Sequence, residues 1–234
     1  MTISEHRMST PAELTSRLAS DIETELIMAV KARASASLVV SGGRTPRPLL
    51  ENLARRTLPW AQIYVTLADE RWVDPSSNDS NEAMVRETLL NDEAAAANFI
   101  PLKNPAGDPL EGQKFCNESI LNMPRPFDLV VLGMGEDGHT ASLFPEVAGR
   151  ALDPGSEEYC LPVYPQHAPH ARMSLTARAI LDSRRIVLHI SGEKKWQVYQ
   201  QALTAGPTEQ LPIRLILHQD RVPVDVYWLS LIHI

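Results

Sequence analysis

Residues Phe127 to Pro145 read FDLVVLGMGEDGHTASLFP. Phe127, Leu129, Val130, Val131 and Leu132 form a nearly unbroken apolar run. A short run of this kind that ends in glycines reads as an interior strand of a parallel sheet. It breaks at Gly133, Gly135 and Gly138, with Glu136, Asp137 and His139 between and just after them. Thr140, Ala141 and Ser142 then predict the opening of a helix. A strand thus delivers a glycine turn that presents an acid and an imidazole, and in open α/β sheets ligands bind at the carboxyl ends of strands. Histidine titrates near neutral pH and is the commonest general base. Asp137, two residues away, can orient the ring or hold its tautomer. Glycines let backbone N–H groups approach a substrate closely. A strand–turn–helix corner with solvated polar residues is the plainer alternative. The acid, the histidine and three glycines together favour a site.

Outward from this stretch the pattern alternates. Upstream, Thr10-Pro11-Ala12-Glu13 reads as a capping box with proline at the first helical position. Leu14, Leu18, Ile22, Leu26, Ile27 and Val30 follow at helical spacing, predicting a helix that ends near Arg33. Ala36 to Val40 reads as a strand running into Ser41-Gly42-Gly43-Arg44-Thr45-Pro46, and Pro48 to Arg56 as a helix with Leu49, Leu50 and Leu53 inward. Ile63 to Leu67 reads as a strand ending in Ala68-Asp69-Glu70-Arg71-Trp72. A polar loop follows, with Asn78 or Asp79 as cap of the next helix. Asn91 to Asn104 has no clear period. Asp108 to Leu121 reads as a helix anchored by Leu110, Phe115 and Ile120.

Downstream, Ala148 to Glu158 reads as a loop, Tyr159 to Tyr164 and Arg172 to Leu175 as strands, and Thr176 to Asp182 as a helical turn. Arg185 to Ile190 reads as another central strand, ending in Ser191-Gly192-Glu193-Lys194-Lys195, which opens a helix through Ala202. Pro212 to Leu217 reads as a short helix and Val222 to Leu229 as a last strand. Leu229 to Ile234 is either a strand end or an appended tail. Without repeats or dividing linkers, residues 1–234 are expected to form a single α/β domain, with a mainly parallel sheet covered on both faces.

Composition narrows the class. The 234 residues carry a formal net charge of −7, which argues against nucleic acid as a main partner and requires local positive charge for any anionic substrate. Cys116 and Cys160 make no disulfide framework and match no metal spacing. No apolar run approaches a membrane span, and the N-terminal stretch lacks the apolar core of a signal peptide. A cytoplasmic enzyme with no membrane partner is the expectation, with monomer and homodimer both open.

If the sheet is parallel, the loops after Val40, Leu67, Leu132 and Ile190 share one rim. Amides of Gly42 and Gly43 at a helix start suit a phosphate. Ser41 and Thr45 add hydroxyls and Arg44 a charge, although a plain βα turn needs glycine too. Lys195 can bring an ammonium to the same phosphate, while Lys194 reads as a solvated helix start. Arg172 is a third candidate cation or a surface arginine. Arg71 is either an oxyanion ligand or the salt-bridge partner of Asp69 or Glu70. His167, His170, His189 and His218 show no metal-ligand spacing and read as structural or surface residues.

The segments Ser41-Gly42-Gly43-x-Thr45-Pro46, Asp69-Glu70-Arg71-Trp72-Val73, Ser80-Asn81, Gly133 to Pro145 and Gly192-x-x-Lys195 occur in this order. Together they make the chain resemble the 6-phosphogluconolactonases over nearly its whole length. The resemblance implies hydrolysis of 6-phospho-D-glucono-1,5-lactone to 6-phosphogluconate, the second step of the oxidative pentose phosphate pathway. It implies a three-layer αβα sandwich with a Rossmann-like sheet, similar to glucosamine-6-phosphate deaminase, and no cofactor or required metal. Arg44 departs from the serine of many members.

The sister deaminases carry Asn-Glu-Pro after the histidine, and their glutamate works in opening the sugar ring. Here Phe144 precedes Pro145, and a phenyl ring transfers no proton. The expected site therefore has His139 as base and Asp137 as its orienting partner or a ligand of a sugar hydroxyl. Arg71 or backbone amides hold the oxyanion. Ser41, Gly42, Gly43, Arg44, Thr45, Asp69, Arg172 and Lys195 bind the substrate and its phosphate. The competing readings are a deaminase-like sugar-phosphate isomerase and a non-catalytic sugar-phosphate sensor. A dinucleotide oxidoreductase is disfavoured because no Gly-x-Gly-x-x-Gly follows the first strand.

Overall fold

The structure, a computed structural model, describes residues 3–147 and 152–229. In chain order the elements are β1 (Ile3–Met8), α1 (Pro11–Arg33), β2 (Ala36–Val40), α2 (Arg47–Ala54), β3 (Ile63–Leu67), β4 (Asp69–Arg71), α3 (Asn81–Thr88), β5 (Asn98–Ile100) and α4 (Pro109–Leu121). Then follow β6 (Leu129–Leu132), β7 (Cys160–Val163), β8 (Arg172–Leu175), α5 (Ala177–Leu181), β9 (Ile186–Ser191), α6 (Glu193–Leu203), α7 (Arg214–Leu217) and β10 (Val224–Leu229).

Seven strands form one sheet in the order β1-β10-β9-β6-β2-β3-β5, and every pairing is parallel. All five residues of β2 and all four of β6 are buried, as expected of central parallel strands covered on both faces. Successive side chains of β10 show the two covers. Tyr227 donates its hydroxyl to Asp21 on α1, while Trp228 stacks on Trp196 of α6 at 4.0 Å between ring centroids. Neighbouring residues of a strand face opposite ways, so α1 and α6 lie on opposite faces of the sheet. Leu14, Leu18, Ile22, Leu26 and Ala29 of α1 are buried. Thr10 caps this helix by accepting from the Glu13 amide at 3.1 Å, a contact worth about 1 kcal/mol.

From β2 the chain builds outward to β3 and β5. From β6 it builds the other way, to β9 and β10. The β2–β6 border is therefore the point where strand order reverses, and a crevice opens there at the carboxyl ends. A second, antiparallel sheet of order β4-β8-β7 sits beside that rim. It joins the first through Ala68, which donates its amide to Val40 and accepts from Leu175.

Several expectations need correction. β1 and β5 were not legible as strands, and Asp69–Arg71 is a strand of the small sheet rather than part of a loop. Ser80, not Asn78 or Asp79, caps α3, with its hydroxyl accepting from the Ala83 amide. Leu110 and Phe115 are exposed rather than anchors. α4 buries Pro109, Gly112, Cys116 and Ile120, which are helically spaced, whereas 110, 115 and 120 are not. Trp72 fixes that face, because a Cβ at Gly112 would fall 2.5 Å from its ring. Of the expected loop from Ala148 to Glu158, residues 148–151 lie outside the described residues, as do residues 230–234 of the last segment.

Candidate active site

A cleft of about 310 Å³ opens at the reversal point between β2 and β6. Every residue expected in the site borders it except Asp137, which reaches it through His139.

The β6 turn is a self-contained loop. Gly135 donates its amide to the His139 carbonyl and Gly138 donates to Gly135. The Asp137 carboxylate accepts from the His139 amide at 3.2 Å and lies 2.6 Å from His139 Nδ1. Gly135 is required here: a Cβ would land 2.2 Å from His139 Nδ1 and 2.4 Å from Asp137 Oδ1. Burial raises the Asp137 pKa, but the hydrogen bond and charge of His139 outweigh it and hold the carboxyl below its ordinary value. With Nδ1 bonded to a carboxylate, Nε2 is the nitrogen left to take a proton.

The helix expected from Thr140 does not form. Thr140 Oγ1 donates to the Gly133 carbonyl, Ala141 takes φ 49°, and Ser142 is drawn to the small sheet. Its amide donates to Ser174 Oγ and its hydroxyl to Asp69 Oδ2 at 2.5 Å. A turn spent on cross-sheet contacts leaves no first helical turn, and so no helix dipole beside His139. The Phe144 ring packs 4.6 Å from the His139 ring, centroid to centroid.

The small sheet places its cations on strands. Arg71 of β4 and Arg172 of β8 are direct cross-strand partners, an arrangement of like charges that is normally avoided. Burial lowers the Arg172 pKa, and although Asp69 raises it, the charge of Arg71 opposes that. Arg172 reaches Asp69 only at 3.5 Å, and Arg71 donates to the Asp79 carbonyl at 2.6 Å. The expected alternative of an Arg71 salt bridge to Asp69 or Glu70 is absent among the described residues. Nε of both arginines is buried with no partner among the described residues. Glu70 turns away and binds α3, accepting from the amides of Arg71, Asn81 and Glu82 and from Ser80 Oγ. Burial lifts its pKa against those four donors.

In the β2 loop, Gly42 lies against Asn81, whose Oδ1 would be 1.9 Å from a Cβ at that position. Asn81 is itself held by the Asp69 carbonyl at 2.8 Å. Thr45 and the exposed Arg44 side chain have no hydrogen-bond partner among the described residues and border the opening. Ser41 differs from expectation. Its hydroxyl donates to the Val131 carbonyl at 3.0 Å and accepts from the Gly133 amide, so it ties β2 to β6 instead of offering a hydrogen to a ligand. Asp69 is likewise engaged by Ser142, Arg172 and Asn81. Lys195, in the first turn of α6, is half-buried; burial lowers its pKa and Glu136 partly restores it. Lys194 is exposed, as expected, and lies 3.8 Å from Glu136.

Sequence reasoning missed His189, which lines the cleft from β9, and Asn81. The signal for His189 was its place two residues before Ser191-Gly192 at a strand end. Among the described residues no cluster of three or more His, Cys, Asp or Glu is placed to hold a metal ion.

A family model described as glucosamine-6-phosphate isomerases/6-phosphogluconolactonase matches residues 9–228. A 6-phosphogluconolactonase of Rhizobium meliloti is 38% identical over 230 residues, covering 97% of this chain and 99% of the relative. One from Pseudomonas aeruginosa is 41% identical, covering 93% and 91%. The crystal structure of a 6-phosphogluconolactonase from Shewanella baltica superposes with a TM-score of 0.95 at 46% identity, covering 98% of each chain. A monomeric glucosamine-6-phosphate deaminase shares the fold, with a TM-score of 0.77 at 19% identity over 97% of each chain.

Proposed function

The chain belongs to the glucosamine-6-phosphate isomerase/6-phosphogluconolactonase family, and we propose that it works in the lactonase branch with His139 as general base. It is a hydrolase of 6-phospho-D-glucono-1,5-lactone and releases 6-phosphogluconate, the second step of the oxidative pentose phosphate pathway. The observation that carries the base assignment is the 2.6 Å Asp137–His139 contact in a cleft faced by underpaired cations.

The phosphate rests on the amides of Gly42 and Gly43, with Thr45, Arg172 and Lys195 around it and Arg44 at the mouth. The lactone carbonyl then lies toward His139. Nε2 takes a proton from water, the oxygen attacks C1, and the proton returns to the departing ring oxygen. Asp137 holds the tautomer and stabilises the imidazolium. The amides of Gly133, Gly135, Gly138 and His139 are all engaged within the protein, which favours Arg71 over the backbone as the oxyanion ligand. A developing charge met by preformed donors is where most acceleration arises. Asp69 acts by holding Arg172 rather than by touching sugar.

Phe144 supports lactone hydrolysis over deamination, since the wall beside His139 is a phenyl ring with no proton to exchange. No helix of the described residues is long and apolar enough to cross a membrane, and a cytoplasmic monomer or homodimer completes the reading. The test is a coupled assay on three compounds. Rapid turnover is expected for the phosphorylated lactone, slow turnover for glucono-lactone, and no ammonia from glucosamine 6-phosphate. Ammonia release would move the chain to the deaminase branch, and equal turnover of both lactones would remove the phosphate site.

A further inference from the structure

His189 is buried to 6% exposure, yet it borders the cleft, and its Nδ1 has no partner among the described residues. Asp69, Ser41 and Thr140 nearby are spoken for, by Ser142, Val131 and Gly133, while Arg71 and Arg172 across the cleft each keep an Nε without a partner among the described residues. A buried polar atom without a partner is costly and invites an explanation. The surroundings supply one. β9 pairs with β6 up to Leu188 opposite Leu132, so the next position sets His189 beside Gly133. A Cβ at Gly133 would meet nothing within 4 Å, which leaves open space next to the ring. Lys195, which also lines the cleft, is close enough to act on the ring by its charge.

We propose that His189 is a specificity-determining residue that hydrogen-bonds a ring hydroxyl of the sugar lactone, in the part of the cleft between Lys195 and the His139 turn. The proposal rests on the lactonase reading above. Burial, with the Lys195 charge added, lowers the imidazole to a pKa of about 4 and keeps it neutral. A neutral ring has one donor and one acceptor nitrogen. A hydroxyl can pair with Nδ1 in either tautomer, since it donates and accepts. A phosphate dianion only accepts and could pair with Nδ1 in the one tautomer that carries the proton there. A site built to bind a hydroxyl rejects the analogue that lacks it.

The test uses the phosphorylated lactone and its three monodeoxy analogues, lacking the hydroxyl at C2, C3 or C4. The wild-type enzyme is expected to disfavour one of them by roughly ten- to a hundredfold in kcat/KM. His189→Leu should lose about that factor on the full lactone and no longer distinguish that one analogue. His189→Gln, which keeps a donor and an acceptor, should recover part of the discrimination. Unchanged discrimination in the leucine variant would overturn the proposal. A measurement on the unmutated protein covers the case of a variant that does not fold. The imidazole nitrogen resonances of His189 should shift on titration with 6-phosphogluconate. If resonances of the His139 turn move and those of His189 do not, the assignment is wrong. Failure of the wild-type enzyme to hydrolyse the phosphorylated lactone at all would sink the lactonase reading instead.

Discussion

The parallel sheet delivers its chemistry on loops, while the small antiparallel sheet carries its chemistry on the strands themselves. In the β6 loop the polar groups satisfy one another, with Asp137 bonded to His139 and the amides of Gly133, Gly135, Gly138 and His139 closed within the protein. On β4 and β8 the arginines are left in mutual conflict, as cross-strand partners with unpartnered Nε atoms. The loop's close Asp137–His139 contact needs a local geometry that glycines permit. The strands hold two like charges side by side, which takes stiffness to maintain. Ser142, bonded to Asp69 and Ser174, couples the two regions.

The largest expected effect breaks the loop side. His139→Ala should reduce kcat by roughly a hundred- to ten-thousand-fold, with product affinity nearly unchanged, as measured by initial rates corrected for spontaneous opening and by calorimetric titration of 6-phosphogluconate. A comparable loss of product affinity would mean that the histidine binds sugar and is not the base.

The strand side should break differently. Arg172→Ala on β8, and likewise Lys195→Ala on α6, should each remove a proposed charge-assisted phosphate contact worth roughly 1.5–3 kcal/mol. KM for the phosphorylated lactone should rise about ten- to a hundredfold, with little change for the unphosphorylated one. If both lactones suffer equally, the cations support the fold or the reacting centre instead.

His189 is the exception on the parallel sheet, a strand-borne polar group in the cleft, and pH isolates it. Its folded pKa is about 4 against an ordinary 6.5. Between those values the unfolded chain holds a proton that the folded chain refuses, so stability falls as pH drops through this window. The loss should reach about 2–3 kcal/mol by its lower end. Urea unfolding across the window should show this slope in the wild type and not in His189→Leu.

The smallest effect sharpens the contrast most. Like charges directly opposite on a sheet cost up to about 1 kcal/mol. Arg71→Met should therefore raise Tm by about 1–3 °C at low salt, less at high salt, while kcat falls. A salt-independent drop in Tm would show that the two arginines are not in conflict.

Much of this contrast was legible and part was not, for physical reasons. Ala36 to Val40 and Ile63 to Leu67 are mostly apolar and mostly buried, and such runs announce central strands with correct ends. That the glycine turn after Val40 and the Ala68-Asp69 step after Leu67 share one rim then follows from the parallel topology. β4 is three polar residues, Asp-Glu-Arg, buried by contacts from β8 that are over a hundred positions away in the chain; local pattern carries no trace of that pairing. β1 hides for a related reason. Its place in the sheet comes from parallel pairing with β10 at the far end of the chain, reinforced by His6 with Asp225, while Glu5 accepts from Tyr199 of α6. Ser41 was correctly placed at the cleft, but which group receives its hydrogen depends on Val131, set by the β2–β6 pairing. His189 was passed over because its neighbours in sequence gave it no partner. In space that lack of a partner is the informative fact.

The packing of Asn81 into the hollow over Gly42 bears on descent. Position 42 has no room for even a methyl group while Asn81 stands where it does, and Asn81 cannot leave without freeing the Asp69 carbonyl it binds. A loop, a strand and a helix start, from three separate parts of the chain, thus share one lock. A lineage that drifts at any one of these positions must pass through a misfit unless another changes with it. The expectation for related chains is that 42 and 81 vary as a couple or stand still together, however freely the surface around them diverges.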